Sequence, residues 1–134
     1  MAEDPFTVAL PVRFRDLDPM GHVNNAVYAT YLEHARARYF RDVVGESLPS
    51  ADTVLVHLSI DYRASIGSTV DEVTVAMWIP ELGESSVPMR YEVRTDDGVA
   101  ATAETVQVAY DRDADESKPL PDRWRSAIEA DMDL

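Results

Sequence analysis

Arg15 to Asn25 gathers two carboxylates (Asp16, Asp18), a histidine (His22), two amides (Asn24, Asn25) and the turn formers Pro19 and Gly21 in one short stretch. An amphipathic stretch follows directly, so these residues lead into a helix N-terminus, where backbone N–H groups lack partners and the helix dipole is positive. Such donors hold the negative oxygen that develops when an acyl carbonyl is attacked. A carboxylate beside them can activate water or attack the carbonyl itself. That chemistry is acyl transfer to water without Ser, Cys or a metal. The same residue types also make Asx turns and caps around Pro19 and Gly21. Spacing alone leaves both readings open.

Other chemistries find less support. Cys is absent, which removes disulfide frameworks, zinc ribbons, iron–sulfur clusters and cysteine nucleophiles. There is no G-x-S-x-G elbow, and Ser85–Ser86 follow a turn glycine without a nearby His. Phosphate-cradling G-x-G-x-x-G and Walker patterns are missing. His22, His34 and His57 are dispersed on a loop, a helix and a strand, so no metal site and no cofactor is expected. Glu33 reads as structural, paired with Arg36 on the helix surface.

The elements that must position this stretch are legible from period. Residues 6–14 mix apolar and β-branched side chains, with Pro11 arguing for an edge strand or a bulge. Tyr28, Tyr31, Leu32, Ala35 and Tyr39 form the stripe of an amphipathic helix of about five turns. Asn24 or Asn25 is placed to cap it, and Gly45 to end it. Beyond Ser50 the period becomes two. Val54, Val56, Leu58, Ile60 and Tyr62 are expected on one face, as are Val73, Val75, Met77 and Ile79, and then Val87, Met89, Tyr91 and Val93. A further strand runs from Val99 to about Tyr110, entered through the Asp96-Asp97-Gly98 turn. Short turns demand antiparallel pairing. The expected fold is therefore α+β, a five-stranded antiparallel sheet around one long helix. Residues 1–112 are expected to form the domain, and 113–134 an acidic C-terminal tail with a short helix near Arg123–Ala130.

The chain has 134 residues with 46% apolar side chains, enough for one self-sufficient core. Neither a membrane-spanning run nor a targeting segment is apparent, and a cytoplasmic protein is expected. The net charge is −13, from 25 acidic and 12 basic residues, and all the basic residues but Lys118 are Arg. Such a surface repels nucleic acid and anionic membrane, so neither is an expected partner. Scarce Lys beside abundant Asp suits a halophilic cytoplasm, where molar salt screens self-repulsion. Arg-favouring codon usage is the rival explanation. One sheet face is left without a helix and is only partly polar, which points to self-association.

Phe14 to Arg36, with its D-x-x-G-H-V-N-N-x-x-Y core, resembles the hotdog-fold acyl-CoA thioesterases of the 4-hydroxybenzoyl-CoA thioesterase-like family. The resemblance continues through Ile60–Arg63, Leu82–Ser86 and the hairpin at Tyr91–Gly98, covering about residues 7–111. It implies a hotdog fold, hydrolysis of an acyl-CoA thioester to free acid and coenzyme A, and an active site at the interface of a homodimer or homotetramer. Coenzyme A is then part of the substrate rather than a cofactor. The family's catalytic carboxylate falls on Asp18, as nucleophile or general base, with Asp16 outside the catalytic set. Its oxyanion donors fall among His22, Val23, Asn24, Asn25 and Ala26. Arg63 and Arg90, read as lying near strand ends or edges, are candidates for the coenzyme A phosphates. The alternatives are a hotdog hydratase or dehydratase and a non-catalytic acyl-binding hotdog protein.

Overall fold

The computed structural model describes residues 4–47 and 52–134. The chain runs β1 (Phe6–Pro11), a 3-10 turn (Phe14–Asp16), α1 (Val27–Tyr39), β2 (Thr53–Tyr62), β3 (Glu72–Trp78), β4 (Ser86–Thr95), β5 (Gly98–Asp111), β6 (Glu116–Ser117) and α2 (Asp122–Met132). The main strands pair antiparallel in the order β1-β3-β4-β5-β2, and β6 adds to β5. One face of this sheet packs on α1, the α+β layout expected from the hydrophobic periods and the hotdog fold implied by the resemblance. None of the described helices is long and apolar enough to cross a membrane.

Each apolar set takes its expected side, with one exception. Val73, Val75, Met77, Val87, Met89, Tyr91 and Val93 are buried against the helix stripe of Tyr28, Tyr31, Leu32, Ala35 and Tyr39. Pro11 closes β1, an edge strand, where a missing N–H costs no ladder bond. Pro88 is tolerated in β4 because pairing with β3 begins at Arg90. After Tyr39 the helix widens into a π turn, Phe40–Val44, and stops at Gly45 with φ +82°. Only glycine takes that conformation without strain.

The exception is β2. A bulge at Val56 puts Leu55 opposite Gln107 and His57 opposite Val106. Directly opposed residues share a face. Leu55, Leu58, Ile60 and Tyr62 therefore lie on the helix-facing side with Gln107, Thr105, Ala103 and Ala101, while Val54 goes to the outer side with Val108. The single face expected for Val54 through Tyr62 is broken because one inserted residue inverts the alternation.

The C-terminal segment is not a tail. Leu120, Trp124, Ile128 and Met132 are buried in the same core, and Trp124 packs edge-on against Phe40 with ring centroids 5.6 Å apart. The domain thus extends to Met132 instead of ending at residue 112. An apolar i, i+4, i+8 stripe on α2 had core to join at the end of α1.

Candidate active site

Asp18 opens a tight turn. Its carbonyl oxygen accepts the N–H of Gly21 at 3.0 Å, with Pro19 second in the turn and Gly21 at φ +77°. Its Oδ1 accepts the N–H groups of Met20 at 2.9 Å and His22 at 3.1 Å. The backbone of His22 returns the contact, accepting the Asp18 N–H at 2.8 Å. The carboxylate is thereby held by one oxygen. Its Oδ2 makes no hydrogen bond among the described residues.

His22 acts here through its main chain, and its bridge to Gly67 ties the turn to the segment after β2. Asp16 faces elsewhere. Its Oδ2 accepts the Arg13 N–H at 2.8 Å and the Tyr31 hydroxyl at 3.1 Å, in a separate hollow between β1 and α1. Burial, then the Asp16 charge, pushes the Tyr31 phenol far up, so it remains a donor.

The backbone donors at the helix start are unequal. The Val23 N–H is spent on Ile66 O, that of Asn24 on Asp16 O and that of Ala26 on Asn24 Oδ1. Asn24 thus makes an Asx turn just ahead of α1, whose N-cap is Ala26 without a side-chain cap bond. Neither Asn24 nor Asn25 is the cap expected from the sequence. Among the described residues the Asn25 N–H makes no hydrogen bond. The Asn25 carbonyl, in contrast, accepts the Tyr62 hydroxyl at 2.7 Å.

Asp18, His22, Val23 and Asn25 line a cleft of about 300 Å³ together with Tyr62 and Arg63. Tyr28 meets Tyr62 edge-on at 4.9 Å and forms the floor. Burial and the neighbouring Tyr62 hold the Tyr28 phenol above its ordinary value. Ser65 also lines the cleft. Sequence reasoning passed over Tyr28, Tyr62 and Ser65. The signals were there, since Tyr28 closes the D-x-x-G-H-V-N-N-x-x-Y core and Tyr62 lies in the Ile60–Arg63 stretch, but neither was read as a site residue.

Arg63 lines the cleft, and its Nη2 reaches Thr102 Oγ1 at 3.4 Å. Arg90 does not line it. It sits inside β4, an interior strand rather than an edge, and faces Glu104 across the ladder at 3.6 Å. Arg36 is misplaced by the sequence reading as well. It is buried, not paired with Glu33 on the surface. No group of three or more metal-ligating side chains occurs among the described residues.

The fold and this cleft define a hotdog protein with a carboxylate at the entrance to its long helix. The chain belongs to the thioesterase-like superfamily, whose family profile matches residues 12–128. It is similar to a thioesterase from Thermus thermophilus solved with coenzyme A and Zn, at 36% identity and TM-score 0.88, covering 100% of this chain and 98% of that one. It is also similar to Slr0204, a 1,4-dihydroxy-2-naphthoyl-CoA thioesterase from Synechocystis, at 25% identity and TM-score 0.85, covering 96% and 98%. A Staphylococcus aureus protein solved with CoA shares the fold at 18% identity and TM-score 0.86, covering 97% and 85%. No curated protein matches the sequence.

Proposed function

We propose that this protein hydrolyses acyl-CoA thioesters, with Asp18 as the catalytic carboxylate. The observation that carries the reading is the pairing of a held carboxylate with one free donor. Asp18 is fixed through Oδ1 while Oδ2 makes no hydrogen bond among the described residues. Asp18 and Asn25 line the same cleft, and the Asn25 N–H precedes the positive end of α1. A thioester carbonyl seated between them has an attacking group on one side and an oxyanion donor on the other. As general base, Asp18 takes a proton from the water whose oxygen bonds to the acyl carbon. As nucleophile, it forms a mixed anhydride that water then hydrolyses to the free acid and Asp18. On either route the carbon–sulfur bond breaks, and coenzyme A leaves as the thiolate and takes up a proton. Arg63, at the rim, is the side chain for a coenzyme A phosphate.

The catalytic unit in this reading is a homodimer. β2 is ten residues long with one edge unpaired, and Leu55, Val56, Leu58 and Tyr62 on it are exposed. A long apolar edge is what proteins cover. A second copy pairing along β2 closes the cleft beside Tyr62 and shields it from water.

Release of free thiol from an acyl-CoA panel tests the activity, and Asp18→Asn tests the residue. The amide keeps an oxygen to accept the Met20 and His22 N–H groups, so the turn should survive. It is neither base nor nucleophile, and kcat should fall about 10²-fold or more. Near wild-type turnover would move the chemistry elsewhere.

A further inference from the structure

The helix stripe that brings Tyr28 to the cleft continues through Leu32 to Arg36. Arg36 is 5% exposed, and its Nε has no hydrogen-bond partner. Nη1 reaches the Tyr91 hydroxyl at 3.4 Å, which is itself 2.5 Å from the Thr105 hydroxyl. No carboxylate lies in ion-pair range of Arg36 among the described residues. Burial raises the Tyr91 phenol more than the Arg36 guanidinium lowers it, so Tyr91 stays neutral and supplies no counter-charge. Gln107, two residues beyond Thr105 on the same face of β5, leaves its Oε1 unpartnered. A buried cation without an anion is costly and calls for one.

The opposite wall is β2. Leu58 pairs with Thr105 and Leu55 with Gln107, yet each leucine is 42% exposed, so this chain covers them only in part. Leu32 lies between Tyr28 and Arg36 on α1, and Ile60 between Tyr62 and Leu58 on the helix-facing side of β2, so both elements are apolar between the cleft residues and the Arg36–Gln107 level. Tyr28 to Arg36 spans about 12 Å of helix. Tyr62 to Leu58 spans about 13 Å of strand. The two walls agree on the length.

We propose that Arg36 determines acyl specificity by receiving a carboxylate at the far end of a medium-length acyl group, which makes the substrate the coenzyme A thioester of a dicarboxylic acid. This rests on the thioesterase reading above. Guanidinium and carboxylate match as a planar fork, with the free Nε on one prong. The chain's net charge of −13 opposes an anionic substrate. Surface charges are screened within about 8 Å in physiological salt, whereas a contact pair in the interior is not. The local cation therefore decides.

The test compares suberyl-CoA, octanoyl-CoA and omega-hydroxyoctanoyl-CoA, which share a chain length and differ at the far end. The wild type should show kcat/KM at least about tenfold higher for suberyl-CoA. Arg36→Met keeps the volume while removing the charge, a replacement that buried ions often tolerate, and should reverse the order. Arg36→Lys is the companion should Arg36→Met not fold; it keeps the charge without the planar fork and should reduce the preference for the charged end. Preference for octanoyl-CoA or the hydroxy analogue, or a ratio unmoved by Arg36→Met, overturns the proposal. Calorimetric binding of the same thioesters separates the two readings. Tighter suberyl-CoA binding without hydrolysis rejects the hydrolase and upholds Arg36, and hydrolysis without preference does the reverse.

Discussion

The Tyr62 hydroxyl donates to the Asn25 carbonyl at 2.7 Å, so the last residue of β2 holds the residue whose N–H is free at the start of α1. The strand whose open edge suits a second copy thus also orients the proposed oxyanion donor. Removing the hydroxyl with Tyr62→Phe keeps the ring against Tyr28. Because Tyr62 is half exposed, stability should fall by no more than about 1 kcal/mol. The kcat should fall about threefold to tenfold, as expected for slight misplacement of a donor. Unchanged kcat would show that the Asn25 peptide is fixed without Tyr62.

Leu58→Asp places a charge on the exposed, helix-facing side of β2. In a pairing that buries this edge, an unpaired carboxylate costs several kcal/mol, enough to dissociate a dimer. Light scattering should read a dimer or a larger assembly for the wild type and a monomer for the variant, with activity lost in parallel. An active wild-type monomer would remove the interface site.

Trp124→Ala should destabilise the domain by about 3–5 kcal/mol, the usual cost of deleting a large buried aromatic side chain. Trp124 fills the space beside Phe40, and its Nε1 donates to Glu46 at 3.3 Å. Denaturant unfolding should remain a single transition at a lower midpoint. Two separate transitions in the wild type would restore a domain boundary near residue 112.

Salt should stabilise the protein. With 25 acidic and 12 basic residues, most carboxylates have no cation to pair with. Their repulsion reaches about 30 Å at 0.01 M salt and about 3 Å at 1 M. Melting temperature should therefore rise along a potassium chloride series. A flat or falling profile would leave codon usage as the reason for the scarce lysines.

Much was legible in the sequence because it is local. A 3.6-residue period buries one side of a helix wherever that helix lies, and Pro11, Gly45 and Asp97-Gly98 impose turns and ends through their own backbone preferences. The Asp18 turn belongs to this class, since Asp18, Pro19 and Gly21 make it among themselves. What only the tertiary structure decided depends on partners distant in the chain. The Val56 bulge exists because Leu55 and His57 face consecutive residues of β5, which no period within β2 reveals. Val23, Asn24 and Ala26 spend their N–H groups on Ile66, Asp16 and Asn24, and no acceptor meets that of Asn25 among the described residues. Arg36 borders the apolar stripe, and a residue there is surface or core according to what packs opposite. Here that is Tyr91 and Thr105, so the guanidinium turns inward.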